Sequence, residues 1–385
     1  MKLKILFVLL TFSALSVGLS AQDVIVIGAP GQEGELASPS GIQEGPDGNI
    51  YIYDEADAYI KVYSPAGKFL RQLGGEGQGP GEIQRRDGVS FGFTRDRKLF
   101  FTEYFRGHRW ITLLELDGEL AKVIKIDLPG SFGIGDAVAL DDGGFLAEFH
   151  VLGEPEQHKD YFLYKSPIKL LRLDAEGKVV AEIRTAEHRT RISFIPDGAD
   201  SPIPYVPVFA WCLHEGRTIL FSEGLSTALE AIDLDGKPLP EIRTELPKPQ
   251  KVRDKDLDRW REERKRSTME RNPGWWHRSG RVVEKYTKSI YEFRPMLGGL
   301  AATPEDRILV SGAWDFDQGT MDHWLIDMDG KALAHLSPAR GSIRLTRNFI
   351  FTVTSDSLGN IQVKCGKRSG SEEDDFLSSS RLLQR

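Results

Sequence analysis

The chain has 385 residues, of which 40% are hydrophobic and 28% charged, and a formal net charge of -7. That composition supplies enough apolar material for a large core, while the acidic balance excludes a general nucleic-acid binder, because phosphate recognition needs a basic footprint. Cys212 and Cys365 are the only cysteines, so neither a disulfide framework nor a cysteine-based zinc cluster is available.

Residues 1–21 begin with Lys2 and Lys4, continue as an apolar run from Ile5 to Val17 and close on the small residues Gly18, Ser20 and Ala21. This is the layout of a signal peptide, and it implies export to a periplasmic or extracellular destination. The run is short for a bilayer and no later stretch approaches about 18 apolar residues, so no membrane span is expected.

From Gly41 to Gly74 the chain reads as four strands joined by turns. A Pro-Asp-Gly-Asn turn precedes the strand IYIYD, a loop leads to YIKVYS, and a Pro-Ala-Gly-Lys turn leads to FLRQLG. Strand-like runs bounded by Gly, Pro, Asn and Asp turns mark hairpins, since those residues supply the positive or fixed φ that tight turns require.

The same order returns along the chain. The late turn recurs as LDGEL at Leu116, DAEGKVV at Asp174, DLDGKPL at Asp233 and DMDGKAL at Asp327, which with Gly67 makes five. The early turn recurs as TRDRKLFF at Thr94, DDGGFLAEF at Asp141, HEGRTILFS at His214, PEDRILVSG at Pro304 and SDSLGNIQVKC at Ser355, which with Pro46 makes six. A repeat of this size predicts stacked supersecondary units, here a six-bladed all-β propeller over residues 22–366. The stretch DVIVIGAPGQEGELASPSGI after Asp23 reads like FLRQLGGEGQGPGEIQRRDGV after Phe69, a fourth strand followed by a Gly-rich link. The N-terminal strand is therefore expected to close the last blade and leave no free sheet edge.

The string GGEGQGPGE from Gly74 to Glu82, with PDGNIYIYD and YSPAGKF, resembles the NHL-type six-bladed β-propeller proteins secreted by bacteria. The resemblance is sharp over Gly41 to Glu82 and degenerate elsewhere. It implies architecture rather than activity, since members of that family bind proteins, nucleic acids or small molecules or act as enzymes.

Two segments depart from the repeat. Between about 246 and 292 an insertion separates blades 4 and 5. Within it Asp254 to Met269 has acidic residues early and basic residues late, as a helix dipole prefers. Pro273 and Gly274 are expected to end that helix, and Trp260 is placed to anchor it. Residues 367–385 lack strand pattern, and a disordered tail is expected there. No convincing third strand follows Cys365.

Candidate chemistry is sparse. GEGQGPGE lacks the following helix and the Gly-Lys-Ser/Thr ending of a phosphate cradle, and it reads as an interblade link. Asp54, Glu103, His150 and Glu223 lie at the ends of second strands, with Asp315 nearby, where strand ends converge on the channel mouth. Such a ring could hold Ca²⁺ or a cationic ligand, or could raise a carboxylate pKa for acid-base work. The histidines are scattered without a metal-binding spacing, so no zinc site is expected. No Gly-x-Ser-x-Gly elbow occurs, and Cys212 in FAWCL reads as buried and inert. Trp275, Trp276 and Trp314 place aromatic groups in loops, either to bind a ligand or to pin the insertion down.

Two functions are compatible with these features. One is an exported recognition module that binds a protein, peptide or small ligand on the loop-rich face. The other is a metal-dependent enzyme, a lactonase-like hydrolase or a lyase, with its site at the channel mouth. A monomer without nucleic-acid partners is expected in either case.

Overall fold

The computed structural model describes residues 24–368 apart from 80, 85–87, 105–108, 195–199, 278–279, 281–289, 314–320, 340–341 and 356–360. The expected signal peptide lies outside the described residues, as does nearly all of the expected tail.

The chain opens with β1 (Ile25–Ile27) and then lays down antiparallel sheets in sequence order. Sheet 1 holds β2 (Pro39–Glu44), β3 (Ile50–Asp54), β4 (Tyr59–Tyr63) and β5 (Phe69–Gly74). Sheet 2 holds β6 (Val89–Phe93), β7 (Leu99–Glu103), β8 (Trp110–Leu114) and β9 (Leu120–Lys125). Sheet 3 is larger, with β10 (Ser131–Ala139), β11 (Phe145–Val151), β12 (Pro155–Gln157), β13 (Tyr161–Leu173), β14 (Val179–Phe194) and β15 (Asp200–Pro202). Sheet 4 holds β16 (Ala210–His214), β17 (Thr218–Ser222), β18 (Ala228–Asp233) and β19 (Pro238–Arg243). A ribbon of β20 (Gln250–Lys251) and, beyond helix α1 (Asp254–Arg271), β21 (Phe293–Arg294) closes the base of the insertion. Sheet 5 holds β22 (Leu297–Ala302), β23 (Arg307–Gly312), β24 (Met321–Asp327) and β25 (Ala332–Ala339). Sheet 6 holds β26 (Ser342–Leu345), β27 (Phe349–Ser355) and β28 (Ile361–Lys367), and its fourth strand is β1.

Second strands are buried on both faces, because each sheet is covered by a neighbour on either side. All five residues of IYIYD in β3 and of LFFTE in β7 are buried. That arrangement replaces strict alternation with an apolar run. Outer strands face water, and β9 buries a single residue, Ile124. Apolar clusters fill the gaps between successive sheets. Ile60 and Phe101 join sheets 1 and 2, Phe100 and Phe145 join 2 and 3, Leu170 and Phe221 join 3 and 4, Leu220 and Ile308 join 4 and 5, Leu309 and Ile350 join 5 and 6, and Ile52 and Phe351 join 6 and 1.

Late turns are where local sequence chemistry is clearest. Gly67, Gly118, Gly177, Gly236 and Gly330 all have φ between 78° and 102°, a region a Cβ disfavours, and each amide N–H donates to the carbonyl three residues earlier. Asp174, Asp233 and Asp327 reinforce their turns by accepting from two following backbone amides each.

The Gly-rich links also repeat. Leu36 N–H donates to Gly28 O at 2.9 Å and Ile83 N–H to Gly75 O at 2.8 Å, so each link folds back and drives a buried apolar residue between sheets. The expectation that the N-terminal strand completes the last sheet is met by the register Ile25 to Cys365, Val26 to Lys364 and Ile27 to Val363.

Three expectations need correction. The early turn of sheet 6 is Thr346 to Asn348, where Thr346 N–H donates to Phe349 O at 2.9 Å. SDSLGN therefore joins second and third strands, and Cys365 lies in the third strand rather than at the end of the second. A three-residue turn without Gly or Pro was hidden, while Ser, Asp, Gly and Asn in the next connection imitate turn chemistry. The fold also runs two residues further, since Lys367 ends β28 and Arg368 donates to Glu305 Oε1 at 2.6 Å. Helix α1 stops at Arg271, but Pro273 starts a new helical turn through His277 instead of ending helicity, which suits a residue lacking an N–H at a first helical position.

Candidate functional site

First strands approach one another around the axis, β2 with β6, β6 with β10 and β16 with β22, and so line a central channel. Early turns open at one mouth of that channel. Intersheet links, second-to-third-strand connections and the insertion open at the other, which is the loop-rich mouth.

A bulge in β10 builds the channel wall. Ile134 pairs with Phe149 and Ala137 with Ala147, so Gly135 and Asp136 together oppose Glu148. Bulges re-aim side chains, and here Asp136 is turned into the channel, hydrogen-bonded to Ser90 of β6 and exposed to its solvent. Protein nevertheless surrounds it. Desolvation first, and the Glu148 charge second, raise the Asp136 carboxyl above its ordinary value, while Ser90, Arg344 and His150 oppose the rise.

Glu148 is held on two sides. Its Oε2 accepts a 2.8 Å hydrogen bond from Trp211 Nε1 of sheet 4, and its Oε1 lies 2.8 Å from His150 Nε2. Tyr104 packs edge-on against His150 at 4.5 Å and tilted against Phe132 at 5.4 Å, placing an aromatic rim above the polar groups. Arg344 reaches the same space from β26 in sheet 6. Arg344 is open to the channel solvent, yet desolvation by the surrounding protein depresses its pKa and the Asp136 charge opposes the change, but a guanidinium stays charged at any physiological pH. In the order in which the apolar clusters connect the sheets, Arg344 and Asp136 stand on opposite walls.

His150 is the expected site residue that belongs to this group. Asp54 does not join it. Fully buried, it accepts from Ala37 N–H at 2.9 Å and Ser38 N–H at 2.7 Å and binds Lys61 Nζ at 2.8 Å. Glu103, also buried, accepts from Gln84 N–H at 2.7 Å. Ala37 and Gln84 each follow the plugging residue of a link, so both carboxylates clamp links to second strands. The repeat alignment that made Asp54 and Glu103 look like a site reflects this structural role. Glu223 lies elsewhere, between sheets 3 and 4, where its charge acts on buried His188 and on Tyr291. Asp315 and Trp314 lie outside the described residues.

Aromatic residues of the insertion serve its docking. Arg264 lies 5.6 Å above the Trp275 ring, Trp276 is buried, and the two indoles are 6.3 Å apart. Trp260 is half-buried. The insertion is tied down by Tyr205, whose hydroxyl donates to Asp256 O at 2.6 Å, and by Tyr291, whose hydroxyl accepts from Arg189 N–H at 2.7 Å.

Asp136, Glu148, Trp211 and Arg344 were not singled out from sequence. Gly135 beside Asp136, inside an otherwise strand-like run, was the available signal for a bulge.

No family model matches the chain, and no curated protein matches it. Among solved structures, a protein of Bacteroides fragilis described as exported is 11% identical with a TM-score of 0.50, covering 91% of this chain and 95% of that one. A gluconolactonase of Xanthomonas campestris is 12% identical with a TM-score of 0.45, covering 86% and 87%. The calcium-binding protein regucalcin of Agrobacterium tumefaciens is 12% identical with a TM-score of 0.45, covering 87% and 92%. No helix among the described residues is long and apolar enough to cross a membrane. With nearly end-to-end likeness to the Bacteroides fragilis structure and sheets laid down as successive meanders around a channel, the chain is a β-propeller.

Proposed function

We propose that this chain is an exported, monomeric six-bladed propeller of NHL-like type that recognises a small polar ligand in its axial channel at the loop-rich mouth. The observation that carries the reading is Asp136, turned into the channel by a β-bulge and electrostatically coupled to Arg344 of sheet 6. Arg344 supplies a fixed cation for an anionic group, and Asp136, Ser90 and the Glu148–His150 pair supply hydrogen bonds for hydroxyl or amine groups. A small hydroxy acid or amino acid has that pattern. Titration calorimetry of such a panel should find ligands whose affinity drops at least tenfold in Arg344→Met and in Asp136→Asn. Ligands that bind both variants as tightly as the parent would place recognition elsewhere.

An enzymatic reading, a hydrolase or a lyase, is favoured by one feature. Asp136 has its carboxyl pKa raised beside a His150–Glu148 pair, which puts a proton donor and a proton acceptor on one wall. Turnover of a bound ester, lactone or ether that disappears in Asp136→Asn while binding persists would decide for it. Binding without turnover across the panel would decide against it.

A further inference from the structure

The mouth opposite the proposed ligand site, where the early turns converge, holds a cavity of about 780 Å³ whose walls include Glu44, Phe93, His214, Thr303, Asp306 and Arg347. His214 ends β16 and Glu215 follows it in the early turn of sheet 4, while Asp306 stands in the early turn of sheet 5. Taken singly, His214 is one scattered histidine. The packing of sheets 4 and 5 makes it part of a set.

One ligand atom from each of His214, Glu215 and Asp306 lies within 4.8 Å of the other two. His214 is only 5% exposed, its Nε2 sits 3.3 Å from Asp306 Oδ1, and its buried Nδ1 has no hydrogen-bond partner among the described residues. Asp306 and Glu215 come within hydrogen-bonding reach of each other, and Arg217 pairs with Glu215. Two carboxylates so close repel unless a proton or a cation lies between them. An imidazole nitrogen held against the same two groups selects among cations. Calcium and magnesium prefer all-oxygen shells, whereas zinc-class ions take imidazole together with carboxylate.

We propose that His214, Glu215 and Asp306 bind a divalent transition-metal ion of the zinc class, which clamps sheets 4 and 5 together at this mouth and keeps a coordination position open toward the cavity. The site is independent of the ligand site proposed above, from which it differs in every residue. Three protein ligands with the fourth position open is the arrangement that lets such an ion take water or an anionic group from solution.

The test uses the full chain stripped of metal by a chelator and titrated with zinc chloride alone, read by calorimetry and by melting temperature. One zinc per chain with a rise in melting temperature is expected, with no rise from calcium or magnesium at the same concentration. Asp306→Asn and Glu215→Gln, both at exposed positions, should each weaken zinc binding at least tenfold while melting no lower than the parent without metal. In His214→Gln the absorption bands of a cobalt-substituted parent should be lost. Failure of the parent to bind zinc, or equal binding by Asp306→Asn, overturns the proposal.

Discussion

Trp211 Nε1 donates a 2.8 Å hydrogen bond to Glu148 Oε2, joining the first strand of sheet 4 to the second strand of sheet 3. Both side chains are buried, at 8% and 9% exposure, so the bond fixes a carboxylate that would otherwise be costly to enclose. Trp211→Phe keeps most of the packing and removes the donor. A loss of about 1–3 kcal/mol is expected for leaving a buried acceptor unpaired, read by urea denaturation. Glu148→Gln should lower the Asp136 pKa, since it deletes a charge that raises it. A carboxyl titration by NMR that leaves Asp136 unmoved would mean the two groups are uncoupled.

Asp54 is predicted to be structural. Burial alone would raise its pKa, but hydrogen bonds from Lys61, Ala37 and Ser38 hold it below the ordinary value. A group depressed in the folded state contributes stability above its unfolded pKa of about 3.9, and that stability is lost as pH falls through the lowered value. Asp54→Asn leaves Lys61 buried with a weakened partner set and should destabilise by about 3 kcal/mol at neutral pH. Carboxylates crowded at an empty cation site would give the opposite sign, a higher melting temperature, and that result would refute the clamp role.

Both thiols are predicted to be silent in the folded protein. Cys212 and Cys365 are free and buried, and burial pushes each thiol up to about 12. Neither should react with a thiol reagent at pH 8 until the chain is unfolded. The linkage follows in sign. The folded state holds these protons between the unfolded pKa near 8.5 and about 12, so stability should decline as pH rises through that window. Replacing Cys212 by Ala should flatten the decline, and an unchanged alkaline profile would assign it to other groups.

Ring closure makes a fourth prediction. Ile27 is fully buried in the cluster that joins sheets 6 and 1, and β1 satisfies the outer edge of β28. Deleting residues 23–28 removes that strand and exposes a free edge. Aggregation or a large fall in melting temperature is expected by size-exclusion chromatography and calorimetry. A truncated monomer that melts like the parent would show that β1 is dispensable.

The repeat was legible because hairpin turns are local. Gly67, Gly118, Gly177, Gly236 and Gly330 mark their turns by the φ they must adopt, and the link plugged by Leu36 repeats the sequence pattern of the link plugged by Ile83. Sheet 6 was misread where that local chemistry misled, at a turn of Thr346, Arg347 and Asn348 that carries no strong signal. The extension of β13 and β14 beyond the four-strand pattern was also missed, since Tyr161–Leu173 carries polar residues and a proline.

The order of strands, the five late turns and the closing role of the N-terminal strand follow from the sequence itself, since turn residues and strand runs act within a few positions along the chain. Which side chains share a site does not. Asp54 and Glu103 look alike in sequence because they do the same structural task in successive units, while Asp136 with Arg344, and His214 with Asp306, are brought together by sheet-on-sheet packing and by one bulge. Those proximities depend on how whole sheets are turned about a common axis, and that orientation is set by burial between sheets rather than by any residue's neighbours in the chain.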